Sequence, residues 1–125
     1  MAFDLTSEIS KIFDEYDKTM KRKVNNSVDK VGKESVAKLK DTSPKKTGDY
    51  ARGWRLKRER GHNGINDVVI HNATDYHLTH LLENGHVIRN KKGTYGRAPA
   101  HKHIKPVEEY FNTEIIEEIK RELEE

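Results

Sequence analysis

Between positions 5 and 39, apolar side chains return at Leu5, Ile9, Ile12, Phe13, Tyr16, Met20, Val24, Val28, Val31 and Leu39, in steps mostly of three and four. That is the period of an α-helix and sets them along one side. One long helix is therefore expected over 5–40, roughly 50 Å long at 1.5 Å per residue. The stripe drifts more slowly than a strict heptad, which argues against a two-stranded left-handed coiled coil. Asp4 or Thr6 can cap its start, and Gly32 is a point where it can weaken or bend. Asp41-Thr42-Ser43-Pro44 ends it, because the residue before a proline is pushed out of the α region.

After a loop or single turn over Lys45–Gly53, the period changes to two. Trp54, Leu56 and Arg58 share one face of a strand over Trp54–Arg60. Gly61-His62-Asn63-Gly64 is a turn signal. Ile65–His71, with Val68 and Ile70 on one face, is the partner strand. A helix follows from Tyr76 to Asn84, capped by Thr74 or Asp75, with Leu78, Leu81 and Leu82 apolar and Gly85 closing it. His86–Arg89 and Thr94–Ala98 flank a turn at Asn90-Lys91-Lys92-Gly93. Pro106 suits the first turn of a last helix, whose buried stripe is Val107, Tyr110, Phe111, Ile115, Ile116, Ile119 and Leu123. The predicted fold class is α+β: a long N-terminal helix, a small antiparallel sheet of about four strands, a short middle helix and a C-terminal helix. We expect one domain over 1–125, with helix 5–40, hairpin 54–71, helix 75–84, a basic loop with strands over 86–104, and an acidic helix over 106–125.

Only 33% of the 125 residues are hydrophobic and 36% are charged. The core must then be small, or burial must be completed against other chains. The chain has no cysteine, which excludes disulfides, thiol nucleophiles and cysteine zinc sites. No apolar run reaches membrane-span length, and the first residues lack the basic and apolar regions of a secretory signal. The net charge of +3 hides an asymmetry: residues 41–106 carry thirteen Lys/Arg against six Asp/Glu, and residues 107–125 carry two against eight. A basic middle and an acidic end suit nucleic acid, the chain's own middle, or a neighbouring copy.

The histidines are the first candidates for chemistry. His77 and His80 stand three apart on a helix, His101 and His103 two apart in an extended stretch, and His86 is near; such spacings can bind zinc. There is no HExxH, and Glu83 is the only carboxylate close in sequence, so surface or hydrogen-bonding roles outweigh a metal site. The acids of 108–125 read as a solvated face rather than a paired-carboxylate site. Ser35 and Ser43 lack a base, and no phosphate-binding glycine loop is present. His80 with Glu83 is a weak hydrolytic pair. Arg55, Lys57, Arg58 and Arg60, with Trp54 and the 89–97 loop, can track a phosphate backbone, but the aromatics are not interleaved with the basic residues in any known base-stacking pattern. The residues thus leave three readings: a structural or interaction subunit, a small basic nucleic-acid-binding protein, and a histidine-dependent metal enzyme or nuclease. No catalytic, metal or cofactor residue is assigned.

Three segments carry a resemblance. They are 43-SPKKTGDYARGW-54, 76-YHLTHLLENGH-86 and 97-RAPAHKHIKPVEEYF-111. In order and spacing the chain resembles the minor tail-component family of long-tailed bacteriophages, the neck or tail-completion proteins that join head connector to tail. The motif positions are Pro44, Thr47, Gly48, Trp54, Tyr76, Leu82, Glu83, Gly85, Pro99 and Pro106. Val107 stands where the family usually has alanine, and His101 is not constant in it. The resemblance implies a structural virion protein of a phage or prophage. It would form or join a ring in the neck or tail, assembled in the host bacterial cytoplasm, with head-connector and tail-tube or tail-terminator proteins as partners. It implies no catalytic residue, no cofactor and no membrane, and direct DNA binding is not favoured. A ring subunit needs two complementary surfaces. The candidates are Arg55, Lys57, Arg58, Arg60, Arg89 and Arg97 on one side and Glu117, Glu118 and Glu122 on the other.

Overall fold

The computed structural model describes residues 5–124, without the side chains of Asn90 and Tyr95; the cap expected at Asp4 and the terminal Glu125 lie outside the described residues. Helix α1 spans Leu5–Thr42. Its last turn closes with Ser43 N–H donating to the Leu39 carbonyl, and Pro44 prevents continuation. Gly32 does not end it. A Cβ there would lie 3.0 Å from Leu56 Cδ1, so the missing side chain lets the first strand lie close against the helix.

One helical turn, α2 (Asp49–Arg52), leads into strands β1 (Trp54–Glu59) and β2 (Asp67–Asn72), paired antiparallel from Trp54 opposite Asn72 to Glu59 opposite Asp67. A 3-10 turn at Tyr76–Leu78 precedes α3 (Thr79–Asn84), so the expected middle helix is split. Strands β3 (His86–Asn90) and β4 (Gly93–Ala98) pair antiparallel with an irregularity between Val87 and Arg89. Helix α4 spans Ile104–Glu124 and holds Pro106 in its first turn. The α+β class and the antiparallel strands are as expected. The four strands divide into two separate two-stranded ribbons.

Helices α1 and α4 pack antiparallel: Ser27 and Lys30 meet Glu118, and Glu34 meets Tyr110. The α1 face against α4 and β1 is made of Ser27, Val31, Gly32, Ser35 and Leu39. Small residues on one face let helix axes approach. Both serines are satisfied by their own helix, through the carbonyls of Lys23 and Val31. Leu39, Tyr50, Trp54 and Val107 form the buried core, with Val36, Ile70, Leu82 and Ile104 against it. Each such side chain contributes about 1.5–3 kcal/mol on full burial, so the core is as small as the composition requires.

The expected buried stripe of α4 is corrected. Val107 is buried, and Tyr110, Phe111, Ile115 and Ile119 are half-buried. Ile116 and Leu123 stand 55% and 41% exposed, while Glu118 is buried. The α1 residues facing α4 at this level, Ser27 and Lys30, are polar, and they suit a carboxylate better than an isoleucine.

Candidate functional site

Where α1 ends, four segments converge on a closed polar and aromatic junction. Tyr50 from α2, Trp54 at the start of β1 and His103 before α4 pack edge to face, with ring centroids 5.5–6.3 Å apart. The Trp54 indole N–H donates to Ser43 Oγ at 2.8 Å, and Ser43 Oγ donates to the Leu39 carbonyl. The Tyr50 hydroxyl lies 2.7 Å from His103 Nε2, and His103 Nδ1 lies 2.7 Å from the His101 carbonyl. A carbonyl only accepts, so Nδ1 carries a proton; in the neutral ring Nε2 then accepts from Tyr50. Burial, with the charge of Glu83 adding to it, pushes the Tyr50 phenol up to about 12, so it stays a donor. Asn72 fastens β2 to the same place: its Nδ2 donates to the Tyr50 carbonyl at 2.7 Å, and its Oδ1 accepts from the Thr74 and Asp75 N–H groups.

Glu83 completes the junction. Its Oε1 accepts from His103 N–H at 2.9 Å and Ile104 N–H at 2.8 Å, and Oε2 accepts from Lys105 N–H at 3.0 Å. Those donors belong to the first turn of α4, which has no partner for them within the helix. A carboxylate there also sits at the positive end of the helix dipole. Burial pushes the Glu83 carboxyl up, but the three N–H donors outweigh it and hold it below its ordinary value. Gly85 follows with φ 75°, and a Cβ there would lie 2.6 Å from the Ala98 carbonyl oxygen, so glycine is required twice over. The His101 N–H, donating to the Leu82 carbonyl at 2.7 Å, ties the lead-in of α4 to α3.

By residue type, Tyr50, His103 and Glu83 could serve acid–base chemistry. In their setting they act as structural groups: His103 is 1% exposed, and the polar atoms of Tyr50, Trp54 and His103 have partners inside the chain. The other motif positions support the junction. Thr47 Oγ1 accepts from Asp49 N–H, Gly48 has φ 88°, and Pro44 and Leu82 are half-buried. Tyr76, Pro99 and Pro106 lie at the surface, where Tyr76 meets only the His77 ring among the aromatic contacts of the described residues. Among the described residues no three His, Asp or Glu side chains gather as metal ligands. His101, aimed at the Thr42 carbonyl, and His103 are both engaged in hydrogen bonds.

The charged candidates separate. Arg55, Lys57, Arg60, Arg89 and Arg97 are exposed; Arg55 bonds nearby backbone carbonyls, Lys57 pairs with Glu59, and Arg97 reaches the Asn84 carbonyl. Arg58 instead pairs with Asp29 of α1. Glu117 is exposed and Glu122 half-buried. Glu118 is held by Lys30 at 3.0 Å and by Arg121; those two partners keep its carboxyl below its ordinary value against the effect of burial. Arg58 and Glu118 therefore bind the chain to itself.

Two features escaped the sequence reading. The first is the Glu83 cap, which looked like a plain helix end. Its signal was indirect: Pro99-Ala-His-Lys-His103 offers α4 no capping Ser, Thr, Asp or Asn. The second is that α1 outruns its packing. Leu5, Ile12, Phe13 and Tyr16 are 63–68% exposed and Ile9 41%.

A scaffold locked by a closed polar junction, with basic and apolar elements turned outward, is the build of a structural subunit. A family model described as "Bacteriophage HK97-gp10, putative tail-component" matches residues 7–85. That is more than half of the chain, and the chain belongs to this family of phage tail components, structural proteins of the virion. Comparison with curated proteins and with solved structures found no match. No helix among the described residues is long and apolar enough to cross a membrane.

Proposed function

We propose that this chain is a neck or tail-completion subunit, one α+β domain that joins the head connector of a tailed phage or prophage to its tail, as part of a homo-oligomeric ring. Its partners in this reading are the head-connector and the tail-tube or tail-terminator proteins, and assembly takes place in the host cytoplasm. The observation that carries it is the apolar surface left outside on two projecting elements, the first third of α1 and the β3–β4 ribbon, where Val87 and Ile88 are 39% and 44% exposed. Such side chains have no use in a lone subunit and suit one that is later enclosed.

Arg55, Lys57, Arg60, Arg89 and Arg97 supply the basic partner-facing surface, and Glu117 and Glu122 the acidic one. The reading assigns no catalytic residue, metal or cofactor. In this reading the basic side chains serve protein partners, and direct DNA binding is not favoured.

The test is deletion of the gene in the phage or prophage that encodes it, with electron microscopy of the lysate. DNA-filled heads and finished but unattached tails are expected. Complete virions, or tails of wrong length with heads attached, would overturn the joining role.

A further inference from the structure

The β3–β4 ribbon stands clear of the body of the chain. A Cβ added at Gly93 or Gly96 would meet nothing within 4 Å, and Val87 and Ile88 are exposed. Its charges are of one sign: residues 86–98 carry Arg89, Lys91, Lys92 and Arg97 and no Asp or Glu. Arg97 reaches the Asn84 carbonyl at the base, and Arg89 and Lys91 lie exposed toward the turn. Apolar side chains framed by bases alone match a surface that is apolar and acidic together.

The outer face of α4 is such a surface. The exposed Ile116 and Leu123 are seven residues apart, so they stand one above the other, opposite the buried Glu118. Glu114 and Glu118 are held by Arg121 and Lys30. Glu108, Glu109, Glu117, Glu122 and Glu124 have no ion-pair partner among the described residues, against two exposed bases, Lys105 and Lys120. That leaves α4 three charges negative. The first turns of α1 are also acidic, but Glu8 pairs with Lys11 and Asp17 with Lys21. Asp14 and Glu15 against Lys18 leave one negative charge there, so α4 is the better match. The ribbon cannot cover its own α4. It leaves the socket beside Ile104 and, from Gly85 to Asn90, reaches roughly 17 Å, whereas Leu123 lies roughly 28 Å along the helix from Ile104.

We infer that the β3–β4 ribbon of one copy docks Val87 and Ile88, with Arg89 and Lys91, on the Ile116–Leu123 face of α4 in a second copy. The contact is head to tail, two different surfaces meeting, and repeated around an axis it closes into a ring. This rests on the ring proposed above and names the surfaces that build it.

The full chain is tested by its absolute mass in solution at tens of micromolar, and by cysteine cross-linking, which has no background because the chain has no cysteine. Ile116→Lys alters an exposed residue, so the monomer keeps its circular dichroism. It removes an apolar contact and adds a charge of the ribbon's own sign, and should weaken association on the order of tenfold or more. Arg89→Glu with Lys91→Glu should weaken it too, and adding Glu117→Lys with Glu124→Lys to that chain should restore part of the loss. Oxidising a mixture of Val87→Cys chains with Leu123→Cys chains should give a linked pair of one of each, identified by mass. Val87→Cys with Phe13→Cys, on α1, should give none. An oligomer that survives these charge changes and yields no 87–123 link overturns the ribbon contact and leaves the ring standing. A link to position 13 in place of 123 overturns the α4 face. Duplex DNA bound by the wild type and released by Arg89→Glu with Lys91→Glu, without an 87–123 link, overturns the protein partner. A monomer without any cross-link overturns the contact and self-assembly together, and the deletion phenotype then decides the joining role by itself.

Discussion

Replacing Glu83 by glutamine isolates the helix cap that binds the middle of the chain to its last helix. The amide has nearly the same shape. Its oxygen can still accept from His103 and Ile104, but its NH2 group then faces the Lys105 N–H, which Glu83 Oε2 meets at 3.0 Å. One charge-assisted hydrogen bond is lost, about 1.5–3 kcal/mol, together with a negative charge at the helix N-terminus, about 0.3–1 kcal/mol or more. The sum is about 2–4 kcal/mol, and for a chain of this size that lowers the melting midpoint by about 8–15 °C.

Proton linkage supplies a sharper check. The folded-state pKa of Glu83 is depressed, whereas the unfolded value is about 4.3. The group's stabilisation is therefore complete above the unfolded value and is lost as pH falls through the folded one. Glutamine takes up no proton. Urea midpoints of wild type and Glu83→Gln, followed by circular dichroism at low micromolar concentration so that assembly does not contribute, should differ most at pH 7 and converge below pH 4. A gap at pH 7 under about 0.5 kcal/mol, the scatter of ordinary surface changes, would refute the cap. So would a gap unchanged at pH 3.

Four further outcomes concern other contacts. Tyr50→Phe leaves His103 Nε2 buried without its 2.7 Å donor and should cost about 1–3 kcal/mol in urea unfolding. Gly85→Ala should cost at least about 1–3 kcal/mol for φ 75° alone, and its clash with the Ala98 carbonyl should lower the melting midpoint further. Arg55→Glu with Arg60→Glu should leave the monomer's urea midpoint within about 0.5 kcal/mol while reducing particle assembly. Arg58→Glu, facing Asp29, should instead lower monomer stability by up to about 1 kcal/mol, measured in the same way.

The sequence made the elements legible where one period ruled. The 3.6-residue stripe of α1, the alternation of Trp54, Leu56 and Arg58, and Pro106 at the head of α4 each report a local preference, and each element stands where expected. Partnership was less legible. The α1 face that packs on α4 is Ser27, Val31, Ser35 and Leu39, and two of these four are polar by type although buried in fact. A scale that reads serine as surface misses Ser27 and Ser35, while Phe13 and Tyr16, apolar by type, stand exposed. Likewise Glu118 looked like one more acid on a solvated face. Its i, i+3 pairing with Arg121 is visible in the spacing, but the approach of Lys30 from α1, 88 residues away, that accompanies its burial is not.

The family match ends at Gly85, and the junction shows what that boundary means physically. Ser43, Tyr50, Trp54, Asn72 and Glu83 all lie within the matched segment; Tyr50, Trp54 and Glu83 meet the residues just before and within the first turn of α4, and Ser43 and Asn72 brace Trp54 and Tyr50. The final helix is thus held by a socket that the matched segment builds, through backbone N–H groups and a single histidine. The socket of backbone donors fixes the first turn, while Val107, Tyr110 and Glu118 further along α4 bind it to the core and to α1. The β3–β4 ribbon leaves this socket at Gly85 and returns at Ala98. The junction thus fixes the angles at which α1, α4 and the two ribbons leave it.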